Sequence, residues 1–257
     1  MRLSRLLLSA VLALTVSIAC EQVTPESVTR TNTFTVPAEY VLEIEAFNGS
    51  VEIAVAEGDS LEVTAEIQQP GDVEYTAVLD GQTVRLLATA IRTRTDPSPG
   101  VALKITAPVG ATLNVTATNG DVTSAGVGVG GTLKTSNGTI RLEEVTGDFD
   151  LNSSNGAIEL DRVIGTFQGA TSNGRIEFDG ELTEGTTSEL QTSNGTIDVF
   201  IGSEANVRLN AETSNGLVDV VYELDDATIS DEHVEGTLGT GAATLILRTS
   251  NGDINIR

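Results

Sequence analysis

Carboxylates are the side chains with the greatest capacity for chemistry in this chain: 37 Asp and Glu stand against 14 Lys and Arg, one histidine and one cysteine. Four of the acids, Glu159, Glu177, Asp198 and Asp219, each follow by four residues the asparagine of a recurring Asn-Gly pair. If the repeats stack in register, the four share one column at a spacing of roughly 4.8 Å. Like charges opposed across strands repel, by about 1 kcal/mol per contact in water and less with salt. Such a row is tolerable and gathers cations. It is therefore a candidate site for weak Ca²⁺ binding or for a basic partner, and Glu143, Asp161 and Asp179, two positions further along, widen the face. The competing reading is a solvated surface whose charges discourage sideways sheet association.

Other reactive groups are few. His233 is the only histidine and stands beside Asp231 and Glu232. It could help bind a metal, but Ser-His-Asp catalysis would have to use it, and no Gly-x-Ser-x-Gly elbow accompanies it. An enzyme built on this chain would rely on carboxylates, as a pair for glycoside hydrolysis or as an acidic calcium cluster for a lyase. No spacing singles out one pair. Arg92 and Arg94, in the Arg-Thr-Arg-Thr-Asp-Pro-Ser-Pro-Gly stretch, could hold an anion or simply face water. Cys20, as the only cysteine, excludes disulfides and cysteine metal sites.

The elements that must position the acids are set by a tetrapeptide close to Thr-Ser-Asn-Gly. Its asparagines are Asn119, Asn137, Asn155, Asn173, Asn194, Asn215 and Asn251, with gaps of 18, 18, 18, 21, 21 and 36. The last gap reads as two periods with one corner lost, and each gap of 21 as one period with a three-residue insertion. After each asparagine the third and fifth residues are almost always apolar and the fourth polar, as in Ile158-Glu159-Leu160 and Ile197-Asp198-Val199. That is a strand with one buried face. Leu133, Leu151, Phe167, Leu190, Leu209 and Leu245 mark a second strand entering each corner, and Gly147, Gly165, Gly185 and Gly202 mark the opposite corner. Glycine there, and in Asn-Gly, is expected to supply positive φ angles.

Two folds fit. Asn-Gly between alternating strands is a hairpin signal and would give an antiparallel meander. Equal arm lengths favour a β-solenoid, because each rung must stack on the next to close a shared core. The all-β solenoid is the expected fold, with regular rungs over 111–257 and irregular strands over 34–110 capping the start of the stack. Its asparagines would form an amide ladder at structural corners, with the preceding Thr or Ser (Thr135, Ser153, Thr171, Thr192, Thr213, Thr249) forming a second ladder beside it. Residues 223–241 interrupt the rungs as a long loop.

Residues 1–19 read as a signal peptide, with Arg2 and Arg5 before an apolar run too short to span a bilayer. The run ends in Ser17-Ile18-Ala19-Cys20, which resembles a bacterial lipobox apart from serine where leucine is commonest. The resemblance implies cleavage before Cys20 and its lipidation, and Glu21 resembles the residue of lipoproteins exported onward. Several acyl chains would anchor the protein firmly. Residues 20–33 read as a tether and 34–257 as one domain. Cleavage removes two arginines and no acid, leaving 12 basic against 37 acidic side chains, a net charge of −25. That balance opposes nucleic acid as a partner and limits membrane contact to the anchor.

The Asn-Gly rungs, the Pro108-Val109-Gly110-Ala111-Thr112-Leu113 entry and the closing Thr249-Ser250-Asn251-Gly252-Asp253-Ile254 together resemble the bacterial putative-adhesin family of β-strand-repeat domains, a domain of unknown function related to toastrack domains. The resemblance covers roughly 34–257 and supplies no catalytic residue. It implies a β-solenoid-like fold in an exported or membrane-anchored protein. The expected function is non-catalytic: a lipid-anchored envelope protein without a cofactor, whose rigid repeat surface serves adhesion or contact with another envelope component or an extracellular ligand. The alternatives are a carbohydrate-active enzyme and a structural spacer.

Overall fold

The computed structural model describes residues 27–92 and 98–257; residues 1–19 and Cys20 lie outside that range. The described residues form 22 strands and one short 3-10 turn, Pro70–Asp72. Each regular rung contributes one strand to a first wall, turns at Asn-Gly, and contributes a second strand to a facing wall. The walls' inner faces carry the aliphatic residues of the alternating pattern, which are buried together with three phenylalanines in one continuous core.

Rung-to-rung pairing through the middle of the stack is parallel. Gly130–Asn137 lies between Ala111–Asn119 and Thr146–Asn155, and Ile140–Glu143 lies between Val122–Ala125 and the start of Ile158–Asn173. Parallel pairing identifies a solenoid and rules out the meander, whose neighbours would alternate in direction. Antiparallel pairs occur at the ends. Val73–Asp80 and Thr83–Ala90 close the first wall at one end, and Ser27–Thr35, Ser60–Gln68 and Gly100–Ala107 close the second. There the Tyr75 hydroxyl donates to Asn32 Oδ1 at 3.2 Å, tying the two walls together.

Three expectations change. Residues 27–33 are not part of a tether, because Ser27–Thr35 is a strand paired along its length with Ser60–Gln68. The gap of 36 is not a lost corner, and 223–241 is not a loop. Asp225–Ile229 and His233–Leu238 form a hairpin whose second strand runs antiparallel to Val207–Asn215, extending the first wall at its far end. The chain then doubles back. Ala243–Asn251 inserts between Thr187–Asn194 and Val207–Asn215, and Ile254–Ile256 inserts between Ile197–Phe200 and Val218–Val220. The last rung in sequence is therefore the last but one in space. The irregular half is also intercalated: Tyr40–Ala46 sits between Thr83–Ala90 and Ala111–Asn119, and Val51–Val55 between Gly100–Ala107 and Val122–Ala125.

Tyr40 begins that early rung, and its buried hydroxyl donates to the Pro108 carbonyl at 2.7 Å. Burial raises its pKa well above that of an ordinary phenol. A raised folded pKa means that the unfolded chain loses this proton first, so stability is intact below the unfolded pKa of about 10 and falls as pH rises from there towards the folded pKa. Urea midpoints measured across alkaline pH should show that fall, and Tyr40→Phe should flatten part of it. At neutral pH the same substitution should cost about 1 kcal/mol, because the Pro108 carbonyl loses its donor.

Candidate binding face

Each of the seven repeat asparagines ends a first-wall strand, and Asn48 follows one by two residues, with the side chains directed along the stack. Asn119 Nδ2 donates to Asn48 Oδ1 at 2.6 Å, Asn137 to Asn119 at 2.7 Å, Asn155 to Asn137 at 3.0 Å, Asn173 to Asn155 at 2.9 Å and Asn194 to Asn173 at 3.0 Å. Asn251 then donates to Asn194 at 2.9 Å, and Asn215 to Asn251 at 3.1 Å. The amide ladder is present with eight members, in spatial rather than sequence order. Its first member, Asn48, was detectable in the sequence from Val51 and Ile53 at the same third and fifth positions, but the 71 residues to the next corner hid the period.

The Thr and Ser hydroxyls do not bond to one another. Each holds the carbonyl of a neighbouring corner glycine: Thr135 on Gly120 at 3.1 Å, Ser153 on Gly138 at 3.1 Å, Thr171 on Gly156 at 2.9 Å, Thr192 on Gly174 at 2.9 Å, Thr249 on Gly195 at 3.0 Å and Thr213 on Gly252 at 2.9 Å. These buried groups satisfy backbone that the corner would otherwise orphan. The corner glycines answer mainly to close approach rather than to positive φ. A Cβ on Gly138, Gly156 or Gly174 would stand about 2 Å from the glycine oxygen one rung back.

Immediately after the corner, on the open side of the second wall, the fourth-position residues form one continuous column. Its register reads Lys104, Glu52, Thr123, Arg141, Glu159, Glu177, Asp198, Asn255, Asp219. Glu159, Glu177 and Asp198 are neighbours, as expected. Asp219 is not the fourth of a run, because Asn255 of the inserted rung separates it from Asp198. Sequence order placed Asn255 at the end of the column and missed Lys104 and Glu52 at its start.

The column is also less bare than the acids alone suggest. Arg141 contacts Glu159 and lies 3.4 Å from Glu143 Oε1. Arg175 Nη2 is 2.6 Å from Glu177 Oε2 and 3.9 Å from Glu159 Oε1. Asn255 Nδ2 donates to Asp198 Oδ1 at 2.8 Å, and Arg257 Nη2 to Asp219 Oδ2 at 3.2 Å. Glu159, Glu177, Asp198 and Asp219 thus each have a donor, which relieves the repulsion a bare row would carry. Each exposed pair contributes about 0–1 kcal/mol.

The flanking acids do not make a second continuous row. Glu143 and Asp161 are register partners, but a shift between Leu160 and Val163 breaks the column before Asp179, which instead faces Phe200. Arg162 bridges Asp161 at 2.6 Å and Glu144 at 3.0 Å, and those contacts, led by the hydrogen bond to Glu144, raise its pKa. Among the described residues no three of His, Cys, Asp and Glu come together to hold a metal ion. His233 lies on the capping hairpin opposite Glu212. Arg92 lies 3.6 Å from Asp72, and Arg94 falls outside the described residues.

Elsewhere the surface is shallow. The first wall's open face carries a groove lined by Thr116, Lys134, Ser136, Asn152, Ser154 and Ser172. The three-residue insertions open a cleft where 201–206 leaves the stack to pass the inserted rung. Leu182, Ile201 and Val207 line it, with Glu181, Glu184 and Glu204.

The fold and this face define a two-walled β-solenoid repeat protein, cornered by an amide ladder and displaying one charged column along its length. The chain belongs to the Toastrack DUF4097 family, whose model matches residues 29–257. Solved structures similar to it include a putative adhesin from Bacteroides fragilis, at 12% identity and a TM-score of 0.45 over 91% of this chain and 99% of that one. Others are a putative cell adhesion protein from Clostridium sporogenes (9%, TM-score 0.37, 89% and 98%) and a putative lipid binding protein from Parabacteroides distasonis (10%, TM-score 0.38, 89% and 97%). No curated protein matches the chain.

Proposed function

We propose that this is a non-catalytic, lipid-anchored protein of the bacterial cell envelope, whose solenoid presents the fourth-position column of the second wall to another envelope component or to an extracellular ligand. The observation that carries the reading is the column itself. Glu159, Glu177 and Asp198 stand on consecutive rungs of a rigid parallel wall, so a partner with matching cationic groups would meet several weak contacts at once. Glu159 and Glu177 are held by Arg141 and Arg175, whose side chains are exposed and can be exchanged for a partner's cations, while Asp198 is held by the Asn255 amide. Weak Ca²⁺ bridging belongs to the same proposal. The anchor would be Cys20, leaving the wall free of the bilayer.

The test is capture from envelope extract on immobilised 21–257, with calcium and then with chelator. A partner should be retained, and substituting Glu159→Gln, Glu177→Gln and Asp198→Asn together should weaken it about tenfold, as three rim contacts of about 0.5 kcal/mol each would. Loss with chelator would support cation bridging, and indifference to chelator would discard it. Retention unchanged by the three substitutions would remove the column from the proposal. A chain that captures nothing and instead cleaves a polysaccharide would replace the proposal with the enzyme reading.

A further inference from the structure

The eight Asn-Gly corners are alike in chemistry and unequal in structure. An Asn-Gly step can lose ammonia without an enzyme. The deprotonated glycine nitrogen attacks the side-chain Cγ, the bond from Cγ to Nδ2 breaks, and ammonia leaves. Water then opens the resulting succinimide to aspartate or isoaspartate. Glycine favours the attack because no Cβ obstructs the approach. Closure needs a side-chain carbonyl free to turn and a glycine N–H free to lose its proton.

Seven corners are held against both movements or against the first. Oδ1 of Asn48, Asn119, Asn137, Asn155, Asn173, Asn194 and Asn251 each accepts an amide hydrogen from the next asparagine of the ladder, at 2.6–3.1 Å. The N–H groups of Gly49, Gly120, Gly174, Gly195 and Gly252 in addition donate to the next asparagine's backbone carbonyl, at 2.8–3.1 Å. Turning one of these side chains means breaking the ladder on that side.

Asn215 differs because of the doubled-back chain. Asn251, last in sequence, is covered by Asn215, and no further asparagine covers Asn215 in turn. On that side the turn of the 225–238 hairpin only flanks the corner, the Thr213 N–H donating to the Glu232 carbonyl and the Val218 N–H to the Asp231 carbonyl, both at 2.9 Å. It donates to Asn251 Oδ1 and to the Ser250 carbonyl at 3.2 Å, but among the described residues nothing donates to its Oδ1 and nothing accepts from the Gly216 N–H. Exposure does not separate it from the others, since all eight corner asparagines are exposed. We propose that Asn215-Gly216 is a spontaneous deamidation site, the one corner at which the folded protein ages. The product carboxylate cannot donate to Asn251 Oδ1, so the ladder loses its terminal bond, and negative charge is added close to Asp253, whose Oδ1 accepts from the Leu217 N–H at 2.9 Å.

The test is peptide mapping by mass spectrometry of the purified protein held in mildly alkaline buffer, folded and in denaturant. In the folded protein, conversion at Asn215 should run at least about tenfold faster than at any other corner, the ratio that an extra 1.4 kcal/mol of local opening cost imposes. In denaturant all eight should convert at similar rates, which would tie the difference to the fold. The proposal is overturned if Asn251 or any interior corner converts as fast as Asn215 in the folded protein. It is equally overturned if Asn215 stays intact while the denatured chain converts.

Discussion

Gly156→Ala is expected to remove about 4 kcal/mol or more of unfolding free energy, a large share of the roughly 5–15 kcal/mol that holds a typical domain folded. A Cβ on Gly156 would stand 1.9 Å from the Gly138 carbonyl oxygen and 3.1 Å from Ser153 Oγ. Neither contact can yield cheaply. The Gly138 oxygen is the acceptor of Ser153 at 3.1 Å, the Gly156 oxygen is the acceptor of Thr171 at 2.9 Å, and the asparagines on both sides are tied by the ladder. Relief requires two rungs to part, which breaks backbone pairing and opens the core beneath. Gly202→Ala is the control, since nothing lies within 4 Å of the added methyl. It should move stability by no more than about 0.5 kcal/mol. Urea unfolding of the two variants measures the contrast, and equal stabilities would mean that the rungs do not approach at the corner as described.

Phe167→Ala should cost about 3–5 kcal/mol. The side chain is fully buried. Its ring is stacked with Phe149 of the previous rung at a centroid distance of 6.1 Å and meets Phe178 of the facing wall edge-on at 5.7 Å. Truncation therefore leaves a cavity bordered by both walls and forfeits two aromatic pairs, each worth about 0.5–1.5 kcal/mol beyond the buried area. In a quasi-one-dimensional stack such a defect weakens the coupling between the two halves, so the unfolding transition should broaden as well as shift. Phe167→Leu keeps most of the volume and should recover more than half of the loss. Thermal and urea unfolding followed by circular dichroism checks all three points; a loss for Phe167→Ala below about 1 kcal/mol would mean that the walls close over the gap.

These two sites differ in how far the sequence disclosed them. The apolar position of Phe167 was legible from alternation, but its partners were not, because Phe178 comes from the opposite wall and period-two patterning says only that a residue faces inward. The corner glycines were legible as corners, with the wrong emphasis. Asn-Gly is a familiar carrier of positive φ, whereas the mid-stack corners need glycine because two backbones meet there. The candidate face was partly legible. Counting four residues from each asparagine assigned Glu159, Glu177 and Asp198 to one column. It could not foresee that Arg175, two residues before Glu177 in sequence, would reach both Glu177 and Glu159, or that Asn255 would stand between Asp198 and Asp219.

The sequence by itself determined the parts of the architecture: two strands per rung, an asparagine at one corner and an apolar interior, with equal arm lengths favouring the parallel stacking that the structure then showed over a meander. Local patterning suffices for these because every rung repeats the same periodicity and the same corner chemistry. Only the tertiary structure decided the order of the rungs. The corner of Asn194 complements that of Asn215 as well as that of Asn251, since each offers the same amide, hydroxyl and glycine carbonyl. Neighbour choice therefore fell to the connections: 201–206 passes one rung, the 225–238 hairpin caps the first wall, and the chain returns into the space left between. That choice sets which carboxylates adjoin, which asparagine ends the ladder and where the cleft opens, and no repeat of identical units can encode it.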